Sequence, residues 1–303
     1  MTALAAVAGL RRRPALLLLG ALSIPILLVV AVALVVVAGV DAVAAVIIIA
    51  LAAGSALPVV ALVAWLGGRA VSGPIAAAAV TWGAFAAPLL SVAASGPWSA
   101  VIAAVLAGEA GADWSSALAA GPVEETFKLL GLALLAVAWP GSVRGARAGL
   151  IAGMLVGLGF GTVEHVIHVS DAAAFRTDLG GPAETAAWVF LARAIAAGLY
   201  LHVAFTGLAG AALGWALEGS SRARWLAVVA TVVTMAALHA LGNAGPIRAP
   251  FLPWGPDDIG AVAIASAARS VPSLALVLLL ARLRNEAPFR PEAPPDPSAR
   301  SGR

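Results

Sequence analysis

The sequence has no cysteine and little charge. Without cysteine, neither disulfide bonds nor thiolate metal ligands can form. Charged residues make up 11% of the 303 residues, against about 25% in soluble domains. Hydrophobic residues make up 62%, and the mean hydropathy is +1.00. These values exclude a soluble globular domain and predict an all-α, polytopic transmembrane helix bundle.

Lysine is almost absent as well, since Lys128 is the only one among the 18 basic residues. The basic charge is therefore nearly all arginine. In a membrane protein, arginines in loops orient the helices by the positive-inside rule. We interpret the basic excess as this orientation signal and expect no nucleic-acid partner.

Eight apolar segments meet the requirement of about 20 residues for spanning a bilayer. The first is too long for the apolar region of a signal peptide and is predicted to be a retained span. The predicted spans are residues 14–38, 42–66, 74–95, 121–139, 148–168, 196–217, 224–243 and 260–283. We expect residues 1–285 to form one membrane domain and residues 286–303, rich in Pro and Arg, to be a disordered cytoplasmic tail.

The arginines predict that both termini are cytoplasmic. With this orientation, the outer loops contain only Arg176 and Arg248, whereas the inner segments contain most of the others. The inner arginines are Arg11, Arg12, Arg13, Arg69, Arg144, Arg147, Arg222, Arg224, Arg282, Arg284, Arg290, Arg300 and Arg303.

Two segments have more than one interpretation. Residues 97–120 are partly apolar but contain Glu109, Gly111 and Asp113, which predicts a partial or interfacial helix before the fourth span. Residues 183–195 either begin a long sixth span or form a separate outer helix.

Three charged side chains enter the apolar run at residues 121–139. Pro122 suits the first position of a helix, so Glu124 and Glu125 are predicted in the first turn, where the helix dipole favours carboxylates. Lys128 can reach either carboxylate, at spacings of four and three residues. A charge at the centre of a membrane helix costs about 2.5 to 3.5 kcal/mol. The stretch is therefore either a neutralised pair at the end of a span or a functional site.

Other polar side chains in the predicted spans favour a site. His239 and Asn243 are four residues apart and share one helix face. Glu164 follows glycines whose spacing permits close helix packing. The glycines are Gly149, Gly153, Gly157 and Gly161. These groups lie within about a turn of the predicted outer boundary, and His202 joins them if the sixth span begins near residue 196. Ionisable groups that share one depth in a membrane mark a functional site.

Carboxylates and imidazoles together can activate a water by general base catalysis, and His or Asn can stabilise an oxyanion. The candidate catalytic residues are Glu124, Glu125, Glu164, His202, His239 and Asn243. His165 and His168 stay outside this set as interfacial histidines. The sequence Glu164-His165-x-x-His168 lacks the His-Glu-x-x-His order of zinc proteases.

These residues resemble the four motifs of the PrsW family of intramembrane proteases, which is related to the CAAX prenyl endopeptidases and the bacteriocin-immunity proteins. The motifs are Glu124-Glu125-x-x-Lys128, Phe160-x-x-x-Glu164, Arg193 followed by His202-x-x-x-Thr206, and His239-x-x-x-Asn243. Each motif is weak alone, but four in order on successive predicted spans are specific. The resemblance covers residues 120–245, which would be the motif-bearing core of a protease domain.

The resemblance implies peptide hydrolysis by a water held between Glu124 or Glu125 and His202. His239 and Asn243 would steady the tetrahedral oxyanion. Glu164, His202 and His239 could also bind zinc as a three-ligand site with an open position. Because these ligands come from separate helices and the sequence shows no groups that would hold them in place, an arrangement without metal is slightly favoured.

The expected substrate is a membrane protein or peptide, cut near the extracytoplasmic face of the cell membrane. An anchored anti-sigma factor, cut at a first site, is the substrate that the resemblance suggests. The alternative function is a proton-linked membrane transporter using the buried Glu, Lys and His groups. The lack of an inverted repeat and the predicted position of the site near one surface argue against the transporter.

Overall fold

The computed structural model is helical, and it describes residue 24 and residues 27–66, 71–106, 108–176, 180–196, 199–243, 271–280 and 282–283. Within these residues there is no strand, which confirms the all-α fold class. The helices are α1 (Leu27–Val40), α2 (Ala42–Trp65), α3 (Gly73–Thr81), α4 (Ala87–Leu106), α5 (Gly108–Ala138), α6 (Ala146–Phe175), α7 (Pro182–Ala196), α8 (Leu199–Ala216), α9 (Arg222–Asn243) and α10 (Val271–Leu280). A π-helical turn, Trp82–Ala86, joins α3 to α4.

Four helical stretches of the described chain have the length and composition to cross a membrane. They are Ala42–Trp65, Gly73–Leu106, Ala146–Phe175 and Arg222–Asn243. They match the second, third, fifth and seventh predicted spans and identify a membrane protein. The total of eight spans and the orientation of the termini remain predictions. Much of the first and eighth predicted spans, and the whole tail at 286–303, lie outside the described residues.

Residues 97–120, interpreted as a partial or interfacial helix before the fourth span, are divided between two long helices. The first of them extend α4 to Leu106, and the rest begin α5 at Gly108, well before the predicted start at residue 121. Gly111 does not break α5, because it lies against the backbone of α4: a Cβ there would be 2.7 Å from the carbonyl oxygen of Ala103. The glycine thus permits close packing of two antiparallel helices, and the acidic residues beside it do not end the helix.

The helix α6 lies at the centre of the bundle and is buried around most of its circumference. Its glycines pack against the backbone of α8, as their spacing predicts. Cβ atoms at Gly149, Gly153 and Gly157 would lie 2.0 to 2.2 Å from carbonyl oxygens of Gly210, Thr206 and His202. The two backbones are in direct contact along this line.

The helices α3 and α4 pack against α5 and α6 around the π-helical turn. The indole N–H of Trp82 donates to the carbonyl oxygen of Phe127 at 2.9 Å, and Gly131 leaves room for the indole ring. Gly83 and Gly159 allow the π-turn and α6 to approach at backbone distance. The turn therefore ties α3 and α4 to α5.

The second ambiguous segment is helical. It lies in α7, which is described as far as Ala196, and the description resumes at Leu199 with α8, which contains His202. Whether residues 183–195 begin the sixth span or form a separate outer helix depends on residues 197–198, which lie outside the described residues.

Candidate active site

Glu124, Glu125 and Lys128 lie in the middle of α5, not in its first turn. The prediction that Pro122 opens the helix is therefore wrong. Gly121 packs against α9, and a Cβ there would lie 2.6 Å from the carbonyl oxygen of Ala236. Because α5 packs closely on α9 here, the helix continues through Pro122, which removes one backbone hydrogen bond. The helix dipole does not support these carboxylates, which are stabilised by partners from other helices.

Lys128 forms the centre of the polar cluster and is fully buried. Its ammonium Nζ lies 2.9 Å from Oε1 of Glu125 and 3.2 Å from Oε2 of Glu124, which confirms both predicted ion pairs. It also donates to Nδ1 of His202 at 2.9 Å and stands 3.8 Å from the centroid of the Phe160 ring. The cation therefore connects α5 to α6 and α8.

His202 is held by a carboxylate of the neighbouring helix. Oε2 of Glu164 lies 2.6 Å from Nε2 of His202. Because an ionised carboxylate can only accept, Nε2 of His202 carries the proton. Nδ1 is then the unprotonated nitrogen, and it accepts from the ammonium of Lys128. The other oxygen of Glu164 accepts from Arg193 at 3.1 Å and lies 3.5 Å from Nε2 of His168. The close contact between Gly157 and His202 brings Glu164 within reach.

His239 is held in the same manner by the second glutamate of α5. Its Nδ1 donates to Oε1 of Glu125 at 2.9 Å. The other ring nitrogen, Nε2, lies 3.7 Å from Oε2 of Glu124. The imidazole stacks on Phe205 at 5.4 Å between centroids and meets the ring of His202 edge to face at 5.2 Å.

The two histidines share one arrangement. Each gives one ring N–H to a carboxylate, Glu164 for His202 and Glu125 for His239, and presents its other nitrogen toward Glu124 or Lys128. Glu124, His202 and His239 offer ligand atoms that all lie within 4.8 Å of one another. Five of the six predicted catalytic residues are therefore brought together on four helices.

The family of the chain follows from a sequence comparison. The family model described as "PrsW family intramembrane metalloprotease" matches residues 72–267, which is more than half of the chain. The chain belongs to the PrsW family. No significant match was found among curated proteins or among solved structures.

PrsW membership makes the chain a peptide hydrolase of the membrane, with a protein as its substrate. It does not favour the transporter alternative. The matched range includes the whole polar cluster, from Glu124 on α5 to His239 on α9. The relation to the CAAX endopeptidases stays a prediction.

The cluster also fits the metal that the PrsW family description implies. One carboxylate and two imidazoles, with a position open for water or substrate, are the ligands of several catalytic zinc sites. Carboxylates that hold the second nitrogen of each ligating histidine are typical of such sites, and Glu164 and Glu125 are in those positions. The expectation of a site without metal rested on the lack of such partners in the sequence, and the structure supplies them.

The ligand set that the geometry favours differs from the predicted one. Glu164 was expected to bind a metal with His202 and His239, but it lies behind His202, on the nitrogen that faces away from Lys128. Glu124 faces both histidines and takes the place of Glu164 in the set.

Asn243, the sixth predicted residue, is the last residue of α9, one turn beyond His239. In the part of the chain that the structure describes, Asn243 makes no hydrogen bond to the cluster. Its role at the oxyanion stays a prediction.

The two excluded histidines lie beside the cluster. His165 is buried, its Nδ1 donates to the carbonyl oxygen of Gly161 at 2.8 Å, and its ring packs against Phe190. The side chain of His168 is 51% exposed and reaches the cluster only through Glu164. Neither faces Glu124.

Sequence reasoning did not assign roles to the aromatic walls of the site. Phe160 packs on Lys128 and His202, and Phe205 stacks on His239. Their spacing offered a signal, since Phe160 precedes Glu164 by one turn and Phe205 follows His202 by three residues.

Proposed function

We propose that the chain is an intramembrane endopeptidase that cuts a membrane protein near the extracytoplasmic face, with Glu124, His202 and His239 as its reactive centre. The observation that carries this proposal is the paired arrangement of the histidines. Each is fixed by a carboxylate behind it and directed toward Glu124 and Lys128. A single buried His–Glu pair could be structural, whereas two that converge on a third carboxylate are arranged for chemistry.

The two adjacent glutamates have different parts in this proposal. The side chain of Glu125 is 2% exposed, and its Oε1 contacts both Lys128 and His239, so it acts as a positioning residue. The side chain of Glu124 is 12% exposed and keeps its Oε2 near His239 Nε2. Glu124 is therefore the carboxylate that meets water and substrate.

A zinc ion is the metal that this donor set suits best, held by Glu124, His202 and His239. When bound, it supplies a Lewis acid that polarises the peptide carbonyl and activates water. Glu164 and Glu125 then keep the imidazoles oriented, while Phe160 and Phe205 limit access of bulk water. If no metal takes part, Glu124 is the general base for the attacking water.

Helix geometry supports a site near the outer face. The helices α5 and α8 end, and α6 and α9 begin, at the two loops that the arginines predict to be cytoplasmic. At about 1.5 Å per residue, Glu124 and His202 lie roughly 21 Å along their helices from these loops. By the same measure, Glu164 and His239 lie roughly 26 Å away. In a hydrocarbon core of about 30 Å, such a layer is close to the outer boundary.

This depth suggests which part of a substrate is cut. A helix in lipid shields its own carbonyls, because its backbone hydrogen bonds have no replacement partners there. An extended segment just outside a single-span protein needs no unwinding and can enter a shallow outward-facing site. We therefore infer cleavage in the extracytoplasmic juxtamembrane segment, as at the first cut of an anchored anti-sigma factor.

Product mapping in proteoliposomes tests the function. The wild-type chain and Glu124→Gln are reconstituted with a single-span substrate, and mass spectrometry locates the cut. We expect cleavage outside the span by the wild type and a loss of at least about 100-fold in Glu124→Gln, since removal of a general base or a metal ligand acts on the chemical step.

Glu218→Gln serves as the matched control, because Glu218 is an exposed carboxylate in the turn that follows α8, at the opposite end of that helix from His202. The metal content of the variant distinguishes the two possible roles of Glu124, general base and metal ligand. A Glu124→Gln protein that retains metal but not activity indicates a base, and loss of both indicates a ligand. Full cleavage by Glu124→Gln, or a cut on the cytoplasmic side, contradicts the proposal.

A further inference from the structure

The ammonium of Lys128 contacts the atoms that a metal ion would use. Its Nζ lies 2.9 Å from Nδ1 of His202 and 3.2 Å from Oε2 of Glu124. Nδ1 is the nitrogen of His202 that remains for a ligand, because Glu164 holds Nε2. Two of the three residues of the Glu124–His202–His239 set therefore already bind a cation that belongs to the chain.

The ammonium of Lys128 lies inside the cluster. The Lys128 side chain is fully buried in the middle of α5. Besides His202 and Glu124, the ammonium contacts Oε1 of Glu125 at 2.9 Å and the Phe160 ring at 3.8 Å. The flexible four-carbon stem gives the ammonium freedom to shift toward these two groups.

We propose that Lys128 is a built-in competitor that shares Glu124 and His202 with a divalent ion and thereby sets how tightly the site holds its metal. The proposal rests on the metal site of the proposed function. In this arrangement the ammonium holds the carboxylates and imidazoles together before the metal binds. Where Glu124 and His202 would hold a metal, the ammonium would shift toward Glu125 and Phe160.

Competition has a measurable consequence for affinity. A unit charge about 4 Å from a bound ion opposes it by several kcal/mol even at an effective dielectric constant of 20. Removal of this charge should therefore strengthen metal binding, although Lys128 itself is not a ligand. A merely structural role predicts the opposite, because disorder in the cluster would weaken binding.

The experiment is a titration of the purified full-length chain in detergent with Co²⁺ alone, followed by the visible absorption of the bound ion. Lys128→Met removes the charge with little change in length, and Lys128→Arg keeps it. We expect Lys128→Met to lower the Kd for Co²⁺ by at least ~10-fold, and Lys128→Arg to stay within ~3-fold of the wild type. Arg147→Met is the matched control, because Arg147 is a cation on α6 that donates to the carbonyl oxygen of Leu66, away from the cluster.

A second pair of variants keeps the test decisive if Lys128→Met does not fold. Loss of Lys128 leaves the buried Glu125 carboxylate without its cation, and breaking a buried ion pair is strongly destabilising. Glu125→Gln combined with Lys128→Met removes both charges of this pair and leaves Glu124, His202 and His239 intact. The double variant should bind Co²⁺ at least ~10-fold more tightly than Glu125→Gln alone.

Equal or weaker Co²⁺ binding after removal of the lysine overturns the proposal. Failure of this inference is distinguishable from failure of the proposed function. If cleavage is sensitive to chelator but the Kd for Co²⁺ is unchanged in Lys128→Met, the competition is rejected and the proposed protease function is retained. Tighter binding in Lys128→Met without any cleavage by the wild type supports the competition and rejects the protease.

Discussion

The four histidines form two pairs that differ in their partners more than in their burial. His202 and His239 each give a ring N–H to a carboxylate from another helix. His165 is also buried, but its ring N–H goes to a carbonyl oxygen of its own helix, and the ring packs against Phe190. His168 is half exposed and touches only the outer side of Glu164.

The comparison shows what separates a functional membrane histidine from a structural one. A backbone carbonyl accepts one ring N–H of a buried histidine, as at His165, and adds no charge to the membrane helix. A buried carboxylate adds a charge that must itself be compensated, as Lys128 and Arg193 do here. Several compensated charges inside membrane helices indicate a functional site.

Removal of a histidine of the first pair should have the largest effect. We expect His202→Ala and His239→Ala each to lower cleavage at least ~1,000-fold and to abolish binding of one zinc equivalent, because each would delete one of the three proposed ligands. Zinc content and cleavage rate are measured on the same purified preparation. Near wild-type zinc content in both variants would contradict the ligand assignment.

The carboxylates behind the histidines should have an intermediate effect. Glu164→Gln and Glu125→Gln keep the size of the side chain but weaken the hydrogen bond to the imidazole. Loss of such a partner typically lowers metal affinity or activity by ~10- to 100-fold. Metal affinity distinguishes this positioning role from a direct one: a loss as large as that in His202→Ala would make Glu164 a ligand after all.

The packing that places His202 can be tested by stability. In Gly157→Ala, the new Cβ would lie 2.2 Å from the carbonyl oxygen of His202, so the backbones of α6 and α8 must separate. We expect a loss of about 1 to 3 kcal/mol in the free energy of unfolding, together with slower cleavage. Gly54→Ala is the control, since a Cβ there meets nothing within 4 Å. Equal melting temperatures for the two variants would show that α8 can shift freely.

The second pair should have the smallest effect. His165→Leu should change cleavage by less than ~3-fold, and its melting temperature should not fall, because Nε2 of His165 is buried without a hydrogen-bond partner in the described structure. His168→Gln should also stay within ~3-fold, since Arg193 still holds Glu164. A large loss in either variant would break the distinction between the pairs.

The glycine and histidine patterns could be interpreted from the sequence because they depend on local geometry. The spacing of Gly149, Gly153 and Gly157 predicted a helix face that permits close packing, without naming the partner helix, and the structure has such a face. The three- and four-residue spacings predicted that Lys128 can reach either carboxylate, and it contacts both. Helix periodicity determines such contacts, so one sequence suffices to infer them.

The start of α5 and the partners between helices could not be inferred in this way. Gly111 and Pro122 have the residue types that usually end helices, and only contacts with α4 and α9 explain why α5 continues through both. Similarly, nothing in the spacing of Glu125 or Glu164 says which histidine each one holds. Those pairings depend on how the helices pack in the tertiary structure.

The direct contact between α6 and α8 also bears on how the site responds to the bilayer. Because backbone meets backbone at Gly153 and Gly157, little side-chain packing lies between the two helices that could yield. A change in lipid thickness, which tilts membrane helices, would move Glu164 and His202 together as one rigid unit. The adjustment would fall instead between this unit and the α5–α9 pair that carries Glu124 and His239. Lipid chain length thereby becomes a variable that tunes the distance between the two halves of the site.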